Sequence, residues 1–164
     1  MLLPASISLR PITPADSELL FSVYASTRTE ELAGLEWDAA QKAAFLRQQF
    51  SAQHGHYQQH YTQTSFEIIL VEHEPAGRLY LARWAEEFRI VDIALLPPYR
   101  GKAVGTAILQ AVIAEATTAG VAVSIHVEQF NPALRLYQRL GFEFVAENGM
   151  YYLMRRTPTE SQCP

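Results

Sequence analysis

Leu95 to Ala107 reads L-L-P-P-Y-R-G-K-A-V-G-T-A and lies between an apolar run of strand character and one of helical spacing. On one side, Ile90, Val91, Ile93, Ala94, Leu95 and Leu96 give the strand signal, which Pro97-Pro98 stops. On the other, Thr106 to Ala116 places apolar residues at helical intervals. A loop so placed points backbone N–H groups and the positive end of a new helix outward, where they attract an anion. Gly101 and Gly105 permit the close backbone approach of a pyrophosphate, and Arg100 and Lys102 add positive charge. The bland alternative is an ordinary strand-to-helix connection, because a glycine-basic turn alone is weak evidence.

A second strand-then-helix unit follows. After the run Val121 to Val127 comes Asn131 to Phe142, N-P-A-L-R-L-Y-Q-R-L-G-F. Asn131 suits an N-cap, Pro132 the first helical position and Gly141 the left-handed stop beyond Leu140. Leu134, Leu136, Tyr137 and Leu140 set the apolar face, so Tyr137 reads first as a core residue.

Working outward, Ile7 to Arg10 reads as a first strand and Thr13-Pro14-Ala15-Asp16 as a capped helix start, the helix reaching Thr27. A second helix is expected from Asp38 to about Tyr61, with Gly55 as a bend or end. Phe66 to Glu72 and Arg78 to Ala85 are strands flanking Glu74-Pro75-Ala76-Gly77, which has the residues of a hairpin turn, and Phe88 to Leu95 is the next. Phe144-Val145 and Met150 to Arg155 are late strands around Glu147-Asn148-Gly149, where Asn-Gly is a strong turn signal. The order is β-α-α-β-β-β-α-β-α-β-β, an α/β mixed sheet.

The 164 residues suffice for one core, so a single domain over residues 1–156 and a polar tail over 157–164 are expected. Thirteen basic against seventeen acidic residues leave a net charge of −4, which gives no electrostatic reason to expect a nucleic-acid partner. No apolar run approaches the roughly 18 residues of a membrane span, and no basic-then-apolar leader precedes Pro4, so no membrane partner and a cytoplasmic location are expected. The lone Cys163 sits in the tail and supports neither a disulfide framework nor a buried nucleophile. His56 and His60 have the i, i+4 spacing of a metal grip, but no cysteine or third ordered ligand accompanies them, and no metal is expected. A Walker loop is excluded because no lysine follows Gly105, and a dinucleotide fold because the glycine loop comes after several strands.

In the order and spacing of both units the chain resembles the GCN5-related N-acetyltransferase family, over about Ile7 to Arg155. Arg100, Gly101, Lys102, Ala103, Val104 and Gly105 follow that family's R-G-x-G-x-G loop, with Ala103 in place of the middle glycine. If that position requires positive φ, alanine strains the loop by roughly a kcal/mol or more. Asn131, Leu136, Tyr137, Gly141 and Phe142 meet the second signature, with Leu134 at its alanine position and Ala133 one place early.

The resemblance implies the acyl-CoA N-acyltransferase fold, a mostly antiparallel sheet splayed at the site with helices on both faces. It further implies acetyl-CoA as co-substrate, a primary amine of a small molecule or protein as acceptor, transfer by direct attack, and a possible homodimer. It places the acetyl oxygen at the backbone N–H of Leu95, with Ala94 and Leu96 as neighbours, the pyrophosphate on the main chain of Arg100, Gly101, Lys102, Ala103, Val104, Gly105 and Thr106, and Asn131 facing the cofactor. Tyr137 matches the tyrosine beside the CoA sulfur, and a phenol with a pKa of roughly 10 can protonate a thiolate; the other reading is a packed core tyrosine. For the base, His126 on the preceding strand, Asp92, Glu128 and ordered water remain open. Trp37, Phe45, Tyr57 and Tyr61 either wall the acceptor pocket or belong to the core. A domain that binds acetyl-CoA without turnover, as a sensor or interaction module, is the alternative; a fold relative that binds no CoA is a third.

Overall fold

The computed structural model describes residues 1–61 and 63–158; Cys163 and most of the expected tail lie outside the described residues. Seven strands form one sheet in the order β1-β2-β3-β4-β5-β7-β6. They are β1 (Ile7–Pro11), β2 (Thr64–Val71), β3 (Glu74–Arg83), β4 (Glu87–Leu95), β5 (Ala122–Glu128), β6 (Glu143–Asn148) and β7 (Tyr151–Arg156). All neighbours are antiparallel except β4 and β5. The helices are α1 (Ser17–Ala33), α2 (Ala39–His60), α3 (Val104–Ala119) and α4 (Leu134–Arg139). The element order is the one expected.

Strand alternation divides the core between the two faces of the sheet. Leu79, Leu81, Ile90, Val123 and Ile125 pack with Ile108, Leu109 and Val112 of α3 and with Tyr137 of α4. On the opposite face Ile68 and Tyr80 pack with Leu20 and Tyr24 of α1 and Leu46 and Phe50 of α2. Asp38 starts α2 with a reciprocal capping box, its carboxylate accepting from the Gln41 N–H at 2.8 Å while Gln41 Oε1 accepts from the Asp38 N–H at 3.0 Å.

Several boundaries differ from expectation for identifiable reasons. The hairpin between β2 and β3 turns at Glu72-His73, both at positive φ, and Val71 pairs directly with Glu74. Pro75, Ala76 and Gly77, read as the turn, lie inside β3. Pro75 is tolerated because β3 begins pairing with β4 only at Gly77, so its missing N–H is not needed on that side. Gly77 is required by contact: a Cβ there would lie 2.1 Å from the Ala94 carbonyl oxygen. Helix α1 runs past Thr27 to Ala33, since no breaker precedes Gly34, and α2 continues through Gly55 to His60. Helix α3 begins two residues earlier than expected and ends at Gly120, which is left-handed at φ 73°. Helix α4 starts at Leu134; Asn131 instead caps the preceding turn, its Oδ1 accepting from the Ala133 N–H at 2.8 Å. Gly141 is left-handed at φ 93°, as expected, and the Phe142 N–H returns to the Tyr137 carbonyl at 3.0 Å.

Ala103 stands at φ 61°, ψ 13°, so the position does demand the left-handed region and alanine is strained there. Ala103→Gly relieves roughly 1–2 kcal/mol of strain but gives back about 0.4–1 kcal/mol in unfolded-chain entropy. A net gain of about 0.5–1 kcal/mol is expected in urea unfolding, with an unchanged m-value.

Candidate active site

The parallel strands β4 and β5 pair only from Glu87 with Ala122 to Ile90 with Ile125, and then part. The cause lies in β4. Leu81 of β3 pairs with Ile90 and Tyr80 with Asp92, so Val91 is an extra residue, a bulge that bends the strand. Beyond it a wedge opens between Val91–Leu95 and His126–Glu128. The Leu96 N–H donates to the Ala76 carbonyl at 2.8 Å, on the β3 side. Alternation therefore turns the N–H and C=O of Leu95 toward the wedge, and Ala94 again toward β3. Arg100 takes up that carbonyl, its Nε donating at 2.9 Å, while Nη2 donates to Ser26 Oγ of α1 at 3.1 Å.

The loop after β4 makes a short 3-10 turn at Pro97–Tyr99 and enters α3 through two left-handed residues, Gly101 at φ 71° and Ala103. Among the described residues no side chain caps α3. The N–H groups of Val104, Gly105 and Thr106 thus face outward from its first turn without a side-chain acceptor, and Ala107 is the first to bond back, to Ala103 at 3.0 Å. Arg100, Gly101, Lys102 and Ala103 are exposed, and no side chain of Gly101 or Gly105 obstructs approach. An uncapped helix start with unobstructed glycines fits a pyrophosphate.

Opposite the loop, α4 presents Tyr137, 5% exposed and edge-on to Phe142 at 5.7 Å. Burial, and next the charge of Asp92, push its phenol up to about 12. The Asp92 side chain is itself largely buried and pairs with Arg78, whose Nη2 also donates to Gln53 Oε1 at 3.2 Å. Burial raises the Asp92 carboxyl, against the pull of Arg78. Tyr57 of α2 lies in the same electrostatic neighbourhood: burial, then the Asp92 charge, raise its phenol. Asp92 thus lies within electrostatic reach of both Tyr57 of α2 and Tyr137 of α4.

His126 is the first β5 residue past the paired region. It is exposed, lies 3.3 Å from Arg89 through Nδ1, and is lowered by burial and Arg89 with a smaller opposing effect of Glu87. Its surroundings differ from those of Asp92 and Tyr137. Glu128 accepts from Arg28 of α1 at 3.0 Å, closing a bridge between α1 and the end of β5. Among the aromatic residues, Trp37 packs edge-on against Phe45 at 5.2 Å, and Tyr57 touches both Tyr61 and Tyr80 at 5.8 Å. The His56 and His60 rings stack at 4.3 Å, and among the described residues no three His, Cys, Asp or Glu side chains gather as a metal site. Sequence reading did not single out Arg78 and Arg28. The signal for Arg78 was a charge set inside the otherwise apolar run of β3.

A sheet opened by a bulge between two parallel strands, with a glycine loop feeding a bare helix start, defines the acyl-CoA N-acyltransferase fold. Solved structures agree. PaiA N-acetyltransferase from Thermoplasma acidophilum, in complex with coenzyme A, is 19% identical and superimposes with a TM-score of 0.68, covering 93% of this chain and 99% of that one. An acetyltransferase from Thermus thermophilus gives 21% identity and a TM-score of 0.66, over 95% and 99% of the two chains. Ard1 from Thermoplasma volcanium gives 20% and 0.62, over 95% and 100%. No curated protein sequence matches the chain. The sequence profile of the Acetyltransferase (GNAT) family matches residues 29–142, and the chain belongs to that family. Among the described residues no helix is long and apolar enough to cross a membrane.

Proposed function

We propose that the protein transfers the acetyl group of acetyl-CoA to a primary amine by direct attack. The observation that carries this reading is the wedge itself: the Leu95 N–H faces it at one end and the uncapped start of α3 lies beside it. Bound there, acetyl-CoA supplies the acetyl group as an activated thioester. The Leu95 N–H, flanked by Ala94 and Leu96, is the donor for the carbonyl oxygen as negative charge develops. The main chain from Arg100 to Thr106 holds the pyrophosphate, with Arg100 and Lys102 contributing charge, and Asn131 faces the pantetheine side. Tyr137 donates its proton to the departing sulfur, and the attacking amine passes its own toward Asp92, His126 or water.

Titration calorimetry with acetyl-CoA followed by thiol release on adding amines tests the proposal. Micromolar binding with amine-dependent release is the expected result. Binding with no release from any amine identifies the alternative, an acetyl-CoA sensor, which the strain at Ala103 favours. No binding overturns both.

A further inference from the structure

The Leu95 N–H and the first turn of α3 lie at the two ends of one loop, residues 96–103, whose only regular element is the 3-10 turn at Pro97–Tyr99. Arg100 closes that loop on itself. Its Nε donates to the Leu95 carbonyl at 2.9 Å, and its backbone N–H donates to the Pro97 carbonyl at 3.2 Å. The peptide between Leu95 and Leu96 is thereby held at both ends, its carbonyl by Arg100 and its N–H by the Ala76 carbonyl of β3 at 2.8 Å. That plane cannot rotate without breaking a bond, so the Leu95 N–H one peptide back keeps its direction. The same bond has an electrostatic effect. The Leu95 carbonyl faces the wedge beside its own N–H, and an unpaired carbonyl dipole there would oppose negative charge on an acetyl oxygen; the guanidinium offsets it.

The other arm of Arg100 reaches α1. Nη2 donates to Ser26 Oγ at 3.1 Å and to the Ser26 carbonyl at 3.4 Å. Ser26 gives its own hydroxyl proton to the Val23 carbonyl at 2.7 Å, which leaves the Oγ lone pairs for Arg100. Two residues further along α1, Arg28 pairs with Glu128 of β5 at 3.0 Å. Helix α1 is thus tied to both sides of the wedge, to the end of β4 through Ser26 and to β5 through Arg28. A lysine at position 100 would keep the charge, but one ammonium cannot take the places of both Nε and Nη2 in a planar fork.

Resting on the acetyl-transfer reading above, we propose that Arg100 is a positioning residue for the reaction. Beyond its charge, its guanidinium fixes the Leu95 N–H relative to the start of α3 and to α1, so that the acetyl oxygen and the pyrophosphate are received in one geometry.

The test uses Arg100→Lys, Ser26→Ala and the double variant. Arg100 is exposed and alanine suits a helix interior, so folding should survive, which circular dichroism checks. In Arg100→Lys kcat is expected to fall by about tenfold or more, the scale on which a small misplacement of reacting groups acts, while the Kd for acetyl-CoA stays within about threefold by calorimetry. Ser26→Ala should lower kcat about threefold. The double variant should be no slower than Arg100→Lys alone, because both changes cut the same linkage. A raised Kd with kcat retained in Arg100→Lys would leave the side chain a simple charge. That result, or losses that multiply in the double variant, overturns the assignment while leaving acetyl transfer standing. Should wild type acetylate no amine, the transfer reading goes and the Leu95 amide resonance in ¹⁵N-labelled protein decides separately. A difference in its shift between the CoA and acetyl-CoA complexes that is at least halved in Arg100→Lys supports the positioning role. An equal difference in both proteins, or none in wild type, overturns it.

Discussion

Gly105→Glu is expected to raise the Kd for acetyl-CoA at least a hundredfold. Gly105 stands in the first turn of α3, where the N–H groups of Val104, Gly105 and Thr106 have no capping side chain. A glutamate there brings a carboxylate to donors that would otherwise receive the pyrophosphate, and the two anions also repel. The fold should be indifferent, because a negative charge in a first turn favours a helix by about 0.3–1 kcal/mol. The control is Gly105→Ala. Its Cβ would meet only Leu95 Cδ1, at 3.8 Å, an ordinary contact. Alanine should therefore keep acetyl-CoA affinity within about threefold by calorimetry. Unchanged affinity in the glutamate variant would remove the loop from the binding site.

Tyr137→Phe is expected to lower kcat roughly a hundredfold, the lower end of what a positioned acid contributes, while the Kd for acetyl-CoA moves less than about twofold. Phenylalanine preserves the edge-on contact with Phe142 and the packing of a side chain that is 5% exposed, so stability should hardly change. What is lost is one proton donor. With its pKa pushed up to about 12, the Tyr137 phenol stays protonated across the neutral and mildly alkaline range. No alkaline fall in wild-type rate between pH 7 and 10 should then come from this group. The stability linkage has the matching sign: the folded state keeps a proton that an unfolded tyrosine releases near its usual value of roughly 10, so this contribution declines as pH climbs from there toward 12. An undiminished rate in Tyr137→Phe would make the tyrosine a packing element.

The two strand-loop-helix units were legible because glycine, proline and asparagine punctuate them and the runs between are clearly apolar. Their site roles in the main chain came with the loop. The β2–β3 turn was not legible. Pro75 and Gly77 are turn residues by local preference, yet the pairing of Ile68 and Ile69 against Arg78 and Gly77 sets the register, and the turn falls on Glu72-His73, which carry no such signal. The start of α4 slipped because the Asn131 side chain satisfies the Ala133 N–H in a turn and the helix follows later. The charge pairs were hidden for a different reason. Arg78 meets Asp92 fourteen residues away, and Arg28 meets Glu128 a hundred residues away. Such meetings depend on strand register and helix placement, which spacing along the chain does not encode. Asp92 and Tyr137 could each be named from sequence, but the electrostatic reach of Asp92 to both Tyr137 and Tyr57 follows from the packing of α2 and α4 against the opened sheet.

Val91 opens the sheet by being one residue too many. Replacing it with another residue leaves the count intact, so the wedge should tolerate wide variation in the side chain at this place. Deleting it would restore an even register, with Asp92 still opposite Tyr80 and Ile90 still opposite Leu81, and should draw β4 back alongside β5. The cleft is thus written in arithmetic: point mutation can only erode it, whereas a single codon lost or gained can abolish or create it in one event.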